Sequence, residues 1–406
     1  MRNAIADHLA DARERQVQFL AELVKLPSDN PPGDCAGHAE RAATLLEALG
    51  FTVERHRVPE AEARAKGMVS ATNLVVRHRF GSGGPVIALN AHGDVVPPGD
   101  GWTHDPYGAE IVDGWMIGRG VAVSKSDFAT YAFALLALRE SGIELNGTIE
   151  LHFTYDEESG GEIGPGLLLR EGISHPDLAI GAGFSYAVVN AHNGCLHLEV
   201  QVDGRSAHAA MPSTGIDALE AANAVLTALY ALRGELGTIV STVPGIGSPQ
   251  LTVGLIKGGI NTNVVPDRVT LRLDRRIIPE EDPQAVEAGL RTLIQAAAGR
   301  VSGATATVRR ILVAAPLMPL AGSERLAAVL CEEASRVMGE PVMTKGVPLY
   351  TDARHYAAAG VPIVLLGAGP HTIEEANAHR ADERLPLADL FKATEVVACS
   401  LARLLR

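Results

Sequence analysis

Cysteine is scarce in this sequence, basic clusters are missing, and no apolar run is long. The four cysteines, Cys35, Cys195, Cys331 and Cys399, are scattered through 406 residues with no Cys-x-x-Cys pair. That spacing excludes a disulfide framework and a thiolate metal site, and it suits a reducing cytoplasm. Lys and Arg number 35 against 48 Asp and Glu, a formal charge of −13 with no basic block, so nucleic acid is not an expected partner. The longest apolar runs, such as YAFALLAL, are too short to span a bilayer. The opening MRNAIADHLADARERQVQFL is charged and helical in pattern, with no apolar signal core. What is present is an apolar fraction of 47%, ample for globular cores. The expectation is a soluble cytoplasmic protein of about two or three domains.

Helical and strand patterns alternate from the start. An amphipathic helix from Ala4 to Lys25 is stopped by the breaker-rich LPSDNPPGD, and a second, near His38 to Leu49, ends at Gly50. FTVERHRV, ATNLVVRHRF and PVIALNAH read as strands, the last nearly all apolar and therefore central in a sheet. DFATYAFALLALRESG is a helix, and GTIELHFT a further strand. From about Cys195 the order becomes strand (CLHLEVQVDG), helix (GIDALEAANAVLTALYALRGEL), two strands (PQLTVGLIKGG and DRVTLRLDRRI), helix (DPQAVEAGLRTLIQAAAG) and strand (ATATVRRILV). That order is the ferredoxin-like split βαβ unit. Because α/β material resumes afterwards, it reads as an insertion. The expected architecture is an α/β sheet domain with helices on both faces, over 1–194 and 313–406, interrupted by a βαββαβ domain over 195–312.

The chemistry gathers at strand ends. YDEESGG follows GTIELHFT, so three adjacent acids stand where an α/β sheet opens its ligand crevice. Like charges this close need a cation, a proton or a basic partner. Of the paired glutamates, one suits holding a cation and the other moving protons. His92-Gly93-Asp94 ends PVIALNAH and suits a metal-ligating imidazole oriented by a nearby carboxylate. His379, in AHRADE, follows the last sheet strand. His56, His78, His152 and His197 lie in strand patterns without a partner motif and read as structural, while His192 in NAHNG fits either role. Ser124, Lys125 and Ser126 could make a Ser-Lys dyad, but no surrounding motif supports one.

In this order, and around a split βαβ insertion, the segments resemble the metallo-amidohydrolase family of acetylornithine deacetylase, succinyl-diaminopimelate desuccinylase, aminoacylase and carboxypeptidase G. The resemblance runs from LVKLPSDNPPGD to AHRADE and includes HGDVVP, W-x-x-D-P-Y, GRG, DEESGG, GRSAHAAMP, GGINTNVVPD, LDRR and TDAR. It implies a catalytic α/β domain over a zinc site and an inserted lid that forms a homodimer. By the same resemblance His92 binds the first metal and Asp94 orients it. Glu157 is the general base, and Glu158 and His379 bind the second metal. His208 resembles the histidine that reaches a neighbouring subunit's site to polarise the scissile carbonyl. Asn263 and Arg276 resemble the residues that hold the substrate's carbonyl and carboxylate; for Arg276 a surface ion pair on a strand is the competing reading.

Two expected ligands are missing. Val123, in GRGVAVSK, stands where the family places the carboxylate that bridges both metals. Ala182, in GAG, stands where it places a second carboxylate. Asp127 is the one nearby acid that could substitute. Two dications about 3.5 Å apart repel by roughly 20 kcal/mol even at an effective dielectric near 20, so without the bridge one divalent cation per chain is expected. Zinc comes first and manganese or cobalt second, held by His92, Glu158 and His379. The implied function is hydrolysis of an amide-type C–N bond in a small substrate that carries a carboxylate. The alternative is a catalytically silent relative that binds a small carboxylated ligand or a partner subunit.

Overall fold

The computed structural model describes all residues, 1–406, and divides into two compact units. One comprises Met1–Asn190, Pro319–Lys345 and Thr351–Arg406; the other comprises Ala191–Met318 with Gly346–Tyr350. The changeovers therefore lie a few residues from the expected 194/195 and 312/313. His192 and Leu317 pair in an isolated antiparallel bridge, so both connecting segments already belong to the second unit there. The Gly346–Tyr350 segment joins it for a local reason. Gly346 donates its N–H to the Pro244 carbonyl at 2.7 Å, and a Cβ at Gly346 would press on Ile246 and Val243.

The first unit is built on an eight-stranded sheet. From edge to edge its strands are Val53–Arg57, Thr72–Phe80, Gly147–Thr154, Val86–His92, Leu178–Gly181, Ile363–Leu365, Val188–His192 and Thr344–Val347. The central Val86–His92 strand runs parallel to both Gly147–Thr154 and Leu178–Gly181, so His92 and the start of YDEESGG leave the sheet at the same end. Strand alternation assigns the faces. Ile87, Leu89 and Ala91, with Ile149, Leu151 and Phe153, join the main core. The Arg2–Val24, Lys125–Glu140 and Leu387–Leu404 helices pack together over that face. The alternate residues Glu150 and His152 face the other way, where the His152 ring meets the Tyr356 hydroxyl of the short Ala353–Ala358 helix at 2.7 Å. Every residue of the Lys125–Glu140 helix from Lys125 to Leu138 is buried, which fits its sequence being apolar nearly all round.

The second unit is a four-stranded antiparallel sheet in the order Gln250–Gly258, Arg268–Ile277, Gly194–Asp203, Thr305–Ala314. Two helices, Ala218–Leu236 and Pro283–Ala298, pack on each other and on one face of it. The alternation in Gly194–Asp203 buries Leu196, Leu198, Val200 and Val202 against Ala221, Val225, Leu229, Leu290 and Ile294. Asp217 and Asp282 cap the two helices by accepting backbone N–H groups of their first turns. This is the βαββαβ arrangement read from the sequence. No helix of the chain is long and apolar enough to cross a membrane.

Candidate metal centre and active site

His92 ends its strand with little freedom. Its backbone N–H donates to Ser124 Oγ at 3.1 Å, and its ring Nδ1–H donates to the Asp94 carbonyl at 2.9 Å. The Asp94 carboxylate stands 3.5 Å from the same nitrogen. Asp94 thus orients the ring mainly through its backbone, which leaves Nε2 as the free ligand atom. The carboxylate has another task. It accepts Asn30 Nδ2 at 3.0 Å, Glu157 N–H at 3.3 Å and Glu158 N–H at 3.1 Å, with no exposed surface on its side chain. Asp94 therefore fixes the acidic turn relative to the histidine.

The turn is pinned from its other end as well. Glu157–Ser159 form one tight helical turn, closed by Gly160 at φ +114, a conformation that suits glycine. The Gly160 carbonyl accepts Arg354 Nη2 and, at 2.9 Å, His355 Nε2. Asp156, the third acid, points away and accepts Ile163 N–H at 2.7 Å. His379 comes from the loop after the last sheet strand with φ +62, a left-handed conformation uncommon outside glycine and frequent at functional sites. Its Nε2 lies 3.4 Å from Glu158 Oε1.

Three donors stand together. Ligand atoms of His92, Glu157 and Glu158 all lie within 4.8 Å of one another. Two ligands about 2.1 Å from a tetrahedral ion stand about 3.4 Å apart, the separation found between His379 and Glu158. Glu158 Oε1 is buried, and the His379 ring nitrogen is the polar group that faces it. The field agrees. Burial alone would lower the pKa of His92, but its bond to Asp94 and the charges of Glu157, Asp94 and Glu158 raise it well above the ordinary value. A site that draws a proton so strongly also favours a metal ion. Glu157 is pushed up to about 8 by burial, with His92 opposing and Glu158 and Asp94 adding to the rise.

Asp127 stands apart from these donors. Its Oδ1 accepts Ala368 N–H at 2.8 Å and its Oδ2 accepts Gly183 N–H at 3.1 Å, so both oxygens serve the backbone. The helix begins at Lys125, two residues before the expected start, and this seats Asp127 inside its buried first turn. It is not a ligand in this arrangement. The Ser-Lys dyad also dissolves: Ser124 serves the His92 backbone, Ser126 donates to the Ala122 carbonyl at 3.4 Å, and Lys125 Nζ donates to the Leu26 carbonyl at 3.2 Å. Val123 and Ala182 are half-buried and offer no donor side chain.

Among the residues expected to touch substrate, His208 and Asn263 meet within the second unit. His208 pairs with Val264 in a two-stranded ribbon, and Ala209 N–H donates to the Asn263 carbonyl at 3.0 Å. Both are exposed. Arg276 holds Asp274 at 3.1 and 3.2 Å from Nε, and His197 holds the same carboxylate at 3.2 Å. The strand ion pair is thus present. His152 is a satisfied core histidine between Tyr356 and Glu150.

Sequence reasoning gave no role to two positioning residues, Asn30 and Glu383, or to a buried acid, Asp352. Asn30 bridges Asp94 and Ser159. Asp352, in TDAR, is buried and pushed up to about 8 by burial and by the charge of Glu157. Glu383 accepts Arg119 Nη1 and the N–H groups of Ala122 and Val123. All three lie in quoted segments, LPSDNPPGD, TDAR and AHRADE, but no role was read from them.

Residues 88–403 match the description of peptidase family M20/M25/M40. The chain belongs to that family. Members of the M20 family are metal-dependent hydrolases acting on C–N bonds. A succinyl-diaminopimelate desuccinylase of Gluconacetobacter diazotrophicus is 28% identical over 98% of this chain and 99% of its own. An acetylornithine deacetylase of Proteus mirabilis is 29% identical over 94% of each. In structure, a Bacillus subtilis protein described as a dinuclear metal-binding peptidase of the M20 family superposes with a TM-score of 0.69 at 18% identity, over 98% of this chain and 99% of its own. The carboxylates that the resemblance leads one to expect at 123 and 182 are absent from this chain, which has Val123 and Ala182 there.

Proposed function

We propose that this chain is a metal-dependent amidohydrolase that cleaves a C–N bond in a small carboxylate-bearing substrate, an N-acyl amino acid or a dipeptide, with one cation per chain. The observation that carries the reading is the donor set: His92 Nε2 and the carboxylates of Glu157 and Glu158 within 4.8 Å, and His379 Nε2 at 3.4 Å from Glu158. His92, Glu158 and His379 would hold the ion, which when bound supplies carbonyl polarisation and a water of lowered pKa. Glu157 takes the proton from the attacking water and returns it to the departing amine. A carboxylate held on the turn beside the ion is placed for both transfers. Asp94 and Asn30 hold the turn that carries Glu157. To His208 and Asn263 we assign the substrate's carbonyl, and to Arg276 its carboxylate. Zinc suits the mixed imidazole and carboxylate set, with manganese and cobalt next.

Glu157→Gln tests the central role. It should lower turnover about a hundred- to ten-thousandfold while metal content per chain stays unchanged. Loss of metal together with activity would make Glu157 a ligand instead. We also propose a homodimer through the second unit, whose edge strand Gln250–Gly258 exposes Leu255 and Ile256; a monomer by light scattering at micromolar concentration would refute it. The missing carboxylates at 123 and 182 favour a second reading, a silent relative that binds a carboxylated ligand. Absence of both metal and hydrolysis across N-acyl amino acids and dipeptides would establish that one.

A further inference from the structure

Beside the donors lies an apolar face that the metal chemistry does not use. Ala122, Ala376 and Ala378 form a small buried cluster, and Val123, Phe184 and Ile373 pack against it while remaining half-buried. The chain places this face next to the donors in sequence. Ala378 directly precedes His379. Val123 directly precedes Ser124, whose hydroxyl accepts the His92 N–H and donates to the His92 carbonyl. The Phe184 ring rests where Gly369 has no side chain, since a Cβ there would run into it. Glu383 takes up the N–H groups of Ala122 and Val123, so this stretch of backbone leaves neither donor free. The side chains that make up the face are all apolar, and the Glu383 carboxylate behind them is taken up by those N–H groups and by Arg119.

We propose that Val123, Phe184 and Ile373 form the acyl pocket and select an uncharged, apolar acyl group of several carbons on the carbonyl side of the scissile amide. The inference rests on the amidohydrolase reading. In that reading the substrate's charge belongs to its amino-acid part, read by Arg276. A carboxylate placed against Val123, Phe184 and Ile373 would lose its water with no partner to replace it. The pocket therefore disfavours a succinyl group, which ends in a carboxylate. Each added methylene buried there should tighten binding about fourfold.

Glu157→Gln protein loaded with zinc allows binding to be read without turnover. Calorimetry would compare the N-acetyl, N-succinyl and N-hexanoyl derivatives of alanine, glutamate and lysine. On at least one parent, N-hexanoyl should bind at least tenfold tighter than N-acetyl, and N-succinyl weakest. Phe184→Ala or Ile373→Ser, in the same background, should cut the hexanoyl preference below about threefold with zinc content unchanged. Either variant suffices if the other does not fold. Equal or tighter binding of N-acetyl or N-succinyl, or a preference untouched by both variants, overturns the pocket while the amidohydrolase reading stands. If none of the nine compounds binds, the pocket is overturned, and hydrolysis of dipeptides by the wild type then decides the fate of the broader reading separately.

Discussion

Glu383 receives the Arg119 guanidinium at 2.6 Å, and each side chain is only 1% exposed. The same carboxylate accepts the N–H groups of Ala122 and Val123 at 3.0 and 3.1 Å. One buried acid thereby ties the loop after Gly118-Arg119-Gly120 to the segment that carries His379, four residues earlier. Removing one partner of a buried pair leaves the other charge without compensation, at a cost of about 3–5 kcal/mol. Glu383→Ala should show a loss in that range in urea unfolding, together with weaker metal retention on dialysis. A change below about 1 kcal/mol would mean that water or a neighbouring group already satisfies Arg119.

Acid stability should depend on the polar face of the sheet. Burial would raise the pKa of Glu150, but bonds to His152, Ser174 and Arg77 outweigh it and bring the carboxyl down to about 2. The folded value lies below the unfolded one, so the stabilisation is complete above the unfolded pKa of about 4.5 and is lost as pH falls towards 2. Its size at pH 7 is roughly 3 kcal/mol. Glu150→Gln should therefore be less stable than wild type at pH 7, with the gap shrinking to less than half by pH 3. A gap independent of pH between 7 and 3 would place the effect in packing rather than in charge.

The residues that were legible in the sequence were those packed into short motifs at strand ends. His92, Glu157 and Glu158 meet because two adjacent parallel strands end together; the apolar run of PVIALNAH marked only the first of them as central. Asp127, a possible substitute ligand by sequence, accepts the Gly183 and Ala368 amides, and two residues at a helix start decide which way such a carboxylate faces. Asn30 and Glu383 act across sequence gaps of 64 and 261 residues, and no local period reports such contacts. The small sheet of Glu110–Val112, Trp115–Ile117 and Arg384–Pro386 has strands of three residues each, too short for alternation to show.

Arg276 offers a sharp test of substrate charge. Its guanidinium holds Asp274, so reading a substrate carboxylate requires it to share or exchange that partner. A charge-assisted hydrogen bond is worth about 1.5–3 kcal/mol, so Arg276→Ala should raise KM about 10- to 100-fold for carboxylate-bearing substrates. Arg276→Lys should recover little, because a point charge lacks the planar fork. Unchanged KM in the alanine variant would leave Arg276 as the strand ion pair and nothing more.

Metal count discriminates most between the readings. The first metal position of the family pattern keeps only His92, since Val123 and Ala182 replace its carboxylates and Asp127 is committed to two backbone amides. One imidazole holds a divalent ion poorly against water, and a neighbouring dication would repel a second ion further. His379 and Glu158, the donors left at the second position, are separated as two ligands of a single tetrahedral ion would be. Elemental analysis of protein purified without chelator should therefore find at most one tightly bound metal per chain, and chelation should abolish hydrolysis. Two metals per chain would show that a further ligand has been overlooked. Full activity without metal would defeat the metallohydrolase mechanism. Val123→Asp with Ala182→Glu should raise the count towards two, and it should at the same time weaken binding of apolar N-acyl ligands, because the new carboxylate at 123 would stand in the face that Val123 shares with Phe184 and Ile373.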